Sequence, residues 1–278
     1  MTHGHERSLD RDTVLCISLA ARPSNIGTRF HNYLYDELGL NYVYKAFAPT
    51  VIVAAVTGIR GLGIRGAGVS MPYKEDVIEL VDVLEPSASA ISSVNTIVND
   101  DGLLRAYNTD YQAVADLLAD DENDFDTSWP VAVAGSGGMA KAVTAALRDT
   151  GFTDVTVVAR NPETGQALAG QYGFVHRTEL SDASPRLLVN ATPVGMAGGP
   201  AANDLPFDVA VVDNALGVFD VVAMPAETPL VRAGRARDIP VISGDAVIAL
   251  QAAAQFTLYT GVTPSPEQIR VASEYSRS

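Results

Sequence analysis

The sequence predicts an α/β protein made of a first unit with a mainly parallel sheet and a second unit built on a glycine-turn βαβ motif. Two observations carry this. Short apolar runs alternate with helical patterns, the order that gives parallel strands covered by helices on both faces. A polar, acidic stretch at 119–128 then separates one such series from the next. The 278 residues suffice for two domains.

The elements follow in order. MTHGHERSLDRD, residues 1–12, is polar and reads as a flexible tail. TVLCISLA is a strand, and TRFHNYLYDELGL a helix stopped by Gly39. NYVYKAF is a strand, APTVIVAAVTGIRGLG a helix, and IRGAGVSMP a strand leaving through Pro72. YKEDVIELVDVL places Val77, Ile78, Leu80, Val81 and Leu84 on one helical stripe. SVNTIVNDDGLLRAYNTD gives two strands around the turn Asn99-Asp100-Asp101-Gly102. YQAVADLLADDENDFDTSW runs from a helix into the acidic boundary. Beyond it come strand PVAVAG, helix MAKAVTAALRDTG and strand DVTVVAR. Further strands are expected at RLLVNAT, DVAVVDNA and IPVISG, and a last long helix at DAVIALQAAAQFTLYTG.

Hydrophobic residues make up 47% of the chain, enough for packed cores, and the net charge is −14. Such a surface repels a phosphate backbone, so no nucleic-acid partner is expected. A local basic pocket can still hold one small anion. The single cysteine, Cys16, lies in an apolar run. With no signal peptide recognised, it points to the cytoplasm. No apolar stretch reaches membrane-spanning length, and no His, Cys or acid cluster has metal-ligand spacing, so no metal is expected.

VAVAGSGGMAKAV carries Gly135, Gly137 and Ala140 as G-x-G-x-x-A, after a strand and opening a helix. That context marks a dinucleotide site. Gly135 permits the tight turn, Gly137 lets backbone N–H groups approach a pyrophosphate, and Ala140 packs helix on strand. Ser136, Gly138 and Met139 complete the turn, and the helix N-terminus adds positive potential. At the end of the next strand stand Arg160 and Asn161, with no acid before Glu163. A guanidinium can bind a 2′-phosphate through two hydrogen bonds, so NADP is expected over NAD.

In VSMPYKEDV, Lys74 lies between Tyr73 and two acids. By residue habit it is a solvated surface charge. A proton-transfer role needs an acceptor and a cofactor elsewhere in the chain. His31, on an amphipathic helix, reads as packed rather than catalytic, and His176 stands alone.

VSMPYKE, SVNTIV, AYNTDYQAV, AGSGGMAKA, VNATPVGM, ETPL and LQAAAQF occur in the order seen in shikimate dehydrogenases, and the chain resembles that family over nearly its whole length after the tail. The resemblance implies a substrate-binding domain at 13–118, a Rossmann-type NADP-binding domain at 119–239, C-terminal helices at 240–278 returning to the first domain, and an active site in the interdomain cleft. It implies Lys74 as catalytic lysine with Asp110 as partner. It further implies Ser70, Asn95 and Gln251 as substrate-binding groups, and Thr192, Val221 and Gly244 as residues lining the cofactor. Ser70 stands where the family usually has threonine.

Two positions depart from the family pattern. Two serines that help bind the substrate carboxylate are replaced by Asn25 and Gly27, with Ser24, Thr28 and Arg22 nearby as substitutes. A family tyrosine before the TPL string is replaced by Ala223. The expected function is NADP-dependent interconversion of shikimate, or a related cyclic hydroxy acid, and its 3-dehydro ketone. Activity on shikimate itself is expected to be weak. The alternatives are a dehydrogenase of quinate or another ring alcohol, and an NADP-binding module whose catalysis has decayed. The expected partner is a small cyclic hydroxy acid, and the chain is expected to be a monomer or homodimer.

Overall fold

A computed structural model describes residues 9–120, 123–180 and 184–278. Residues 1–8 of the expected tail, and 121–122 of the acidic boundary, lie outside the described residues. The chain divides into two compact units, one of residues 1–109 with 249–278 and one of residues 110–248.

The elements run β1 (Val14–Leu19), α1 (Ile26–Glu37), β2 (Tyr42–Phe47), α2 (Ile52–Gly61), β3 (Gly66–Val69), β4 (Val83–Leu84), α3 (Pro86–Ser89), β5 (Thr96–Asp100), β6 (Leu103–Tyr107), α4 (Thr109–Ala119), β7 (Val131–Ala134) and α5 (Gly138–Asp149). They continue as β8 (Val155–Val158), α6 (Pro162–Tyr172), β9 (Val175–Arg177), β10 (Leu187–Asn190), α7 (Val209–Asp213), β11 (Gly217–Asp220), α8 (Pro229–Ala236), β12 (Val241–Ile242), α9 (Gly244–Thr260) and α10 (Pro266–Arg277).

The first unit has a six-stranded sheet of order β2-β1-β3-β5-β6-β4. Its β1–β2, β1–β3 and β4–β6 pairs are parallel, while β5 runs against both neighbours. The β5–β6 hairpin turns at Asp101 and Gly102, both at positive φ, as the Asn-Asp-Asp-Gly string predicts. One core, with Ile17, Val56, Ile59, Ile97 and Leu104, packs α2 on one side of the sheet. The other, with Cys16, Phe30, Tyr35, Tyr44, Phe256 and Tyr259, packs α1, α9 and α10 on the opposite side. Cys16 is fully buried, and burial pushes its thiol up to about 12. His31 is also fully buried. It stacks on Tyr44 with ring centroids 4.4 Å apart, and burial pulls it down to about 3.

The second unit has a wholly parallel sheet of order β12-β11-β10-β7-β8-β9. β7 and β10 are buried at every position because helices cover both faces, so their sequences VAVA and LLVN are apolar without alternation. The expected α/β class with mainly parallel sheets is the observed one.

Two expected elements are corrected. Residues 73–84 do not form a helix: the chain turns, makes a short 3-10 segment at Ile78–Leu80, and enters β4. Asp82 decides this. Its Oδ2 accepts from the Leu104 amide at 2.7 Å and from Arg60 at 2.6 Å, which ties the segment to the sheet. Val83 and Leu84 then pair with Arg105 and Ala106. The strand expected at 208–215 is instead the short helix α7, with Val209 exposed and only Val212 buried within it. The strand lies later, at β11, where Val218 and Phe219 are fully buried. In both stretches a β-branched run fits either period, and long-range packing settles the choice.

Candidate active site

In the first unit the chemistry-bearing residues gather on a frame of buried amides and hydroxyls. Asn95, 3% exposed, precedes β5. Its Nδ2 donates to Thr109 Oγ1 at 3.0 Å, while its Oδ1 accepts from the Thr109 amide at 2.8 Å and from Thr96 Oγ1 at 2.8 Å. Thr109 Oγ1 donates onward to Gln251 Oε1 at 3.4 Å. Gln255, one turn further along α9, donates from Nε2 to Thr96 Oγ1 at 2.9 Å and to the Asn95 carbonyl at 3.2 Å. Each polar group taken from water thereby has partners, as burial requires.

Lys74 is half-buried in the turn after Pro72. Its carbonyl accepts from the Val94 amide at 2.8 Å, so its backbone is anchored one residue from Asn95. Asp110 directly follows Thr109 and sits in the first turn of α4. Thus the backbone of Lys74 is tied beside the Asn95–Thr109 frame of the first unit, and Asp110 is the first residue of the second. Ser70 is exposed just past β3, its amide donating to the Leu19 carbonyl at 2.9 Å. Ser24 and Asn25 are exposed ahead of α1, and Asn25 stands at its N-cap without a side-chain cap bond. Thr28 has a buried Oγ1 with no hydrogen-bond partner among the described residues. Tyr111 is turned to structural use, its hydroxyl donating to Asp149 at 2.6 Å.

In the second unit the glycine turn follows β7. Gly135 has φ +114°, and a Cβ there would lie 2.8 Å from the Ala191 carbonyl oxygen. Gly137 and Gly138 face open space: a Cβ on either would meet nothing within 4 Å. Gly138 opens α5, whose first amides have no side-chain cap, and Ala140 is fully buried behind the half-buried Met139. Open space against free helix-terminal N–H groups fits the diphosphate of a dinucleotide. Beyond β8, Arg160 and Asn161 are exposed. Asn161 has a second task, since its Oδ1 accepts from the Glu163 amide at 2.9 Å and caps α6. Ser136 Oγ and Thr164 Oγ1 are hydrogen-bonded at 2.8 Å.

The other predicted cofactor positions surround a buried network. Thr192 Oγ1 donates to Asn190 Oδ1 at 2.6 Å. Asn190 Nδ2 donates to Asp220 Oδ1 at 3.0 Å, and Asp220 also accepts from Thr228 Oγ1 at 2.7 Å and the Val222 amide at 2.9 Å. Burial pushes the Asp220 carboxyl up to about 6 against these three donors. Val221 is half-buried, its amide donating to the Asn190 carbonyl at 3.0 Å. Gly244 cannot be replaced, because a Cβ there would lie 2.4 Å from the Val222 carbonyl carbon.

Thr96, Thr109, Gln255, Asp220 and Thr228 were not singled out from the sequence. Two signals exist: Gln255 follows Gln251 by four residues on one helix face, and Thr228-Pro229 is an N-cap followed by proline at the first helical position.

Comparison with known proteins agrees with this architecture. Residues 25–97 match the family described as shikimate dehydrogenase substrate binding domain. A shikimate dehydrogenase-like protein of Haemophilus influenzae is 52% identical, over 97% of this chain and 99% of that one. The chain belongs to the shikimate dehydrogenase family.

Members named shikimate dehydrogenase (NADP(+)) include one from Rubrobacter xylanophilus, 36% identical over 94% of this chain and 96% of its own. Among solved structures, a shikimate 5-dehydrogenase-like protein superposes with a TM-score of 0.95, covering 98% of this chain and all (100%) of that one. The shikimate dehydrogenase of Thermus thermophilus, in complex with NADP(H) and shikimate, superposes at 0.83 with 28% identity, over 95% and 99% of the two chains. A quinate dehydrogenase of Corynebacterium glutamicum, in complex with NAD, superposes at 0.85 with 26% identity, over 95% and 98%. No helix among the described residues is long and apolar enough to cross a membrane.

Proposed function

We propose that this chain is an NADP-dependent oxidoreductase that interconverts shikimate, or a related cyclic hydroxy acid, with its 3-dehydro ketone in the cytoplasm. The unit of residues 1–109 with 249–278 holds the substrate, and the unit of residues 110–248 holds the cofactor. One observation carries the reading: the Lys74–Val94 backbone bond holds the lysine beside the buried, mutually hydrogen-bonded Asn95–Thr109 pair of the first unit. A pure binding module has no need of that arrangement.

Bound NADP would accept the hydride from the carbinol carbon. The chain's own part is the proton. Lys74 Nζ takes it from the substrate hydroxyl as C–O becomes C=O, and Asp110 orients that hydroxyl; the pair acts as one titrating unit. In the reverse direction the ammonium polarises the ketone and returns the proton. Gln251 and the second amide hydrogen of Asn95 hold the remaining ring hydroxyls. Gly135 to Ala140, Arg160, Thr192, Val221 and Gly244 form the cofactor side.

A second reading keeps the chemistry and changes the substrate to quinate or another ring alcohol. Asn25, Gly27 and Ala223 favour it, because these positions lack the hydroxyls expected around a substrate carboxylate. A spectrophotometric screen of ring hydroxy acids with NADP decides between them. Turnover of shikimate above all others supports the first reading, and a preferred second ring alcohol supports the other. Silence across the panel with intact NADP binding defeats both.

A further inference from the structure

The buried frame of the first unit has a direction, set by groups that can act in one sense only. The Asn95 carbonyl can only accept, so the Gln255 atom 3.2 Å from it is the donor Nε2. The Thr109 amide can only donate, so the Asn95 side-chain atom 2.8 Å from it is the acceptor Oδ1. Gln255 directs its second Nε2 hydrogen to Thr96 Oγ1 at 2.9 Å. Thr96 is fully buried, and its own proton goes to Asn95 Oδ1 at 2.8 Å.

Asn95 Oδ1 therefore holds two short donors on its two lone pairs. Thr109 Oγ1, which accepts from Asn95 Nδ2 at 3.0 Å, has one proton and two acceptors within reach: Asn95 Oδ1 at 3.2 Å and Gln251 Oε1 at 3.4 Å. The first is already filled, so the proton passes to Gln251. That bond engages the oxygen end of the Gln251 amide and leaves its Nε2 hydrogens for a ligand, together with the remaining hydrogen of Asn95 Nδ2. Gln251 is half-buried, whereas Gln255, one turn later on α9, is 7% exposed. Take Gln255 away, and the Thr96 hydroxyl can turn to Thr109 Oγ1, 3.5 Å away. The Thr109 proton then falls back onto Asn95, and Gln251 loses its orientation.

We propose that Gln255 is a positioning residue: through Thr96 it sends the Thr109 hydroxyl proton to Gln251, so that the Asn95 and Gln251 amides both present N–H donors to the substrate. Such a frame selects a ligand that meets it with acceptor oxygens. The inference rests on the substrate-binding roles of Asn95 and Gln251 proposed above and adds the residue that orients them from behind.

The test is steady-state kinetics of the full chain with NADP and shikimate, or quinate where shikimate is not turned over, for wild type, Gln255→Met, Thr96→Val and Gln255→Glu. Gln255→Met is expected to raise the KM for the acid about tenfold with kcat within about twofold, and Thr96→Val to do the same. The double variant should be no worse than either, because both changes cut one relay. Gln255→Glu separates the relay from packing. A protonated carboxyl donates to Thr96 and an ionised one accepts from it. Its KM relative to wild type should therefore climb with pH as the buried carboxyl ionises, while the ratio for Gln255→Met stays flat. His31, which faces Gln255 from α1, is held neutral down to about 3 and does not titrate in that range. Unchanged KM in Gln255→Met and Thr96→Val, additive losses in the double variant, or a flat ratio for Gln255→Glu would overturn the proposal. Thermal melts establish which variants are folded, and if one is not, the others decide. If wild type turns over no ring hydroxy acid, the functional reading fails, and NMR exchange of the Gln251 side-chain amide hydrogens judges the relay alone. Exchange about tenfold faster in Gln255→Met supports it, and equal rates defeat it.

Discussion

The buried polar networks around Asn95 in the first unit and Asp220 in the second are built to different ends. Asn95, Thr96, Thr109 and Gln255 in the first unit are neutral, and they lead outward to Gln251 and to the residues beside Lys74 and Asp110. Asn190, Asp220 and Thr228 in the second unit close on themselves around a carboxyl group that is fully buried. The first network costs little to bury, because amides and hydroxyls exchange water for each other. The second holds a charge away from water and depends on every donor it has. On the function proposed above, the first network is a scaffold for other groups, while the second is a clamp on turns.

The largest expected effect tests the scaffold. Lys74→Ala should lower kcat by about 10²–10⁴-fold while NADP affinity, measured by titration calorimetry, changes less than about twofold. Retained turnover would remove the lysine from the chemistry. Next, Thr228→Val should cost about 2–4 kcal/mol in urea unfolding, because a buried carboxylate oxygen loses its hydroxyl donor and α8 loses its cap. The matching change in the other network, Thr109→Val, should cost only about 1 kcal/mol and fall mainly on turnover. Similar stability losses in both would show that the two networks bear on folding alike.

Acid separates the units in sign. His31 is held neutral down to about pH 3, whereas an unfolded histidine protonates near 6.5. The unfolded state therefore binds the proton first, and stability falls as pH drops below 6.5, by about 2 kcal/mol at pH 5. Asp220 behaves oppositely. Its folded carboxyl protonates near 6 and its ordinary value is 3.8, so stability rises as pH falls from 6, by about 1.4 kcal/mol at pH 5. Urea midpoints at pH 7 and pH 5 check both. His31→Phe should flatten the loss, and Asp220→Asn should deepen it. The smallest effect concerns specificity. Asn25→Ser with Gly27→Ser should lower the KM for shikimate about tenfold. A Cβ at Gly27 meets only Tyr44, at 3.7 Å, so the second serine fits without rearrangement.

Legibility from the sequence followed the range of the interactions. The glycine turn, the hairpin at Asp101-Gly102 and the strands β1, β7 and β10 depend on neighbours within a few residues, and the string alone shows them. The segment 73–84 could not be read this way, because Asp82 is decided by Leu104 and Arg60, which come from two other elements. The strand misplaced at 208–215 has the same cause, since burial belongs to Val218 and Phe219 only once β10 and β12 flank them. At the site, the reactive types Lys74 and Asp110 stand out in sequence. The frame of Thr96, Thr109 and Gln255 does not, because a buried threonine or glutamine resembles any other until its partners are known.

The lone sulfhydryl offers a window on motion. Cys16 pairs with Tyr44 across the β1–β2 ladder, sealed beneath α1, α9 and α10. A labelling reagent can reach it only when that stack opens, and its proton is held tightly until then. The rate of alkylation therefore clocks transient opening of the N-terminal sheet, with no engineered probe and no second thiol to confuse the signal.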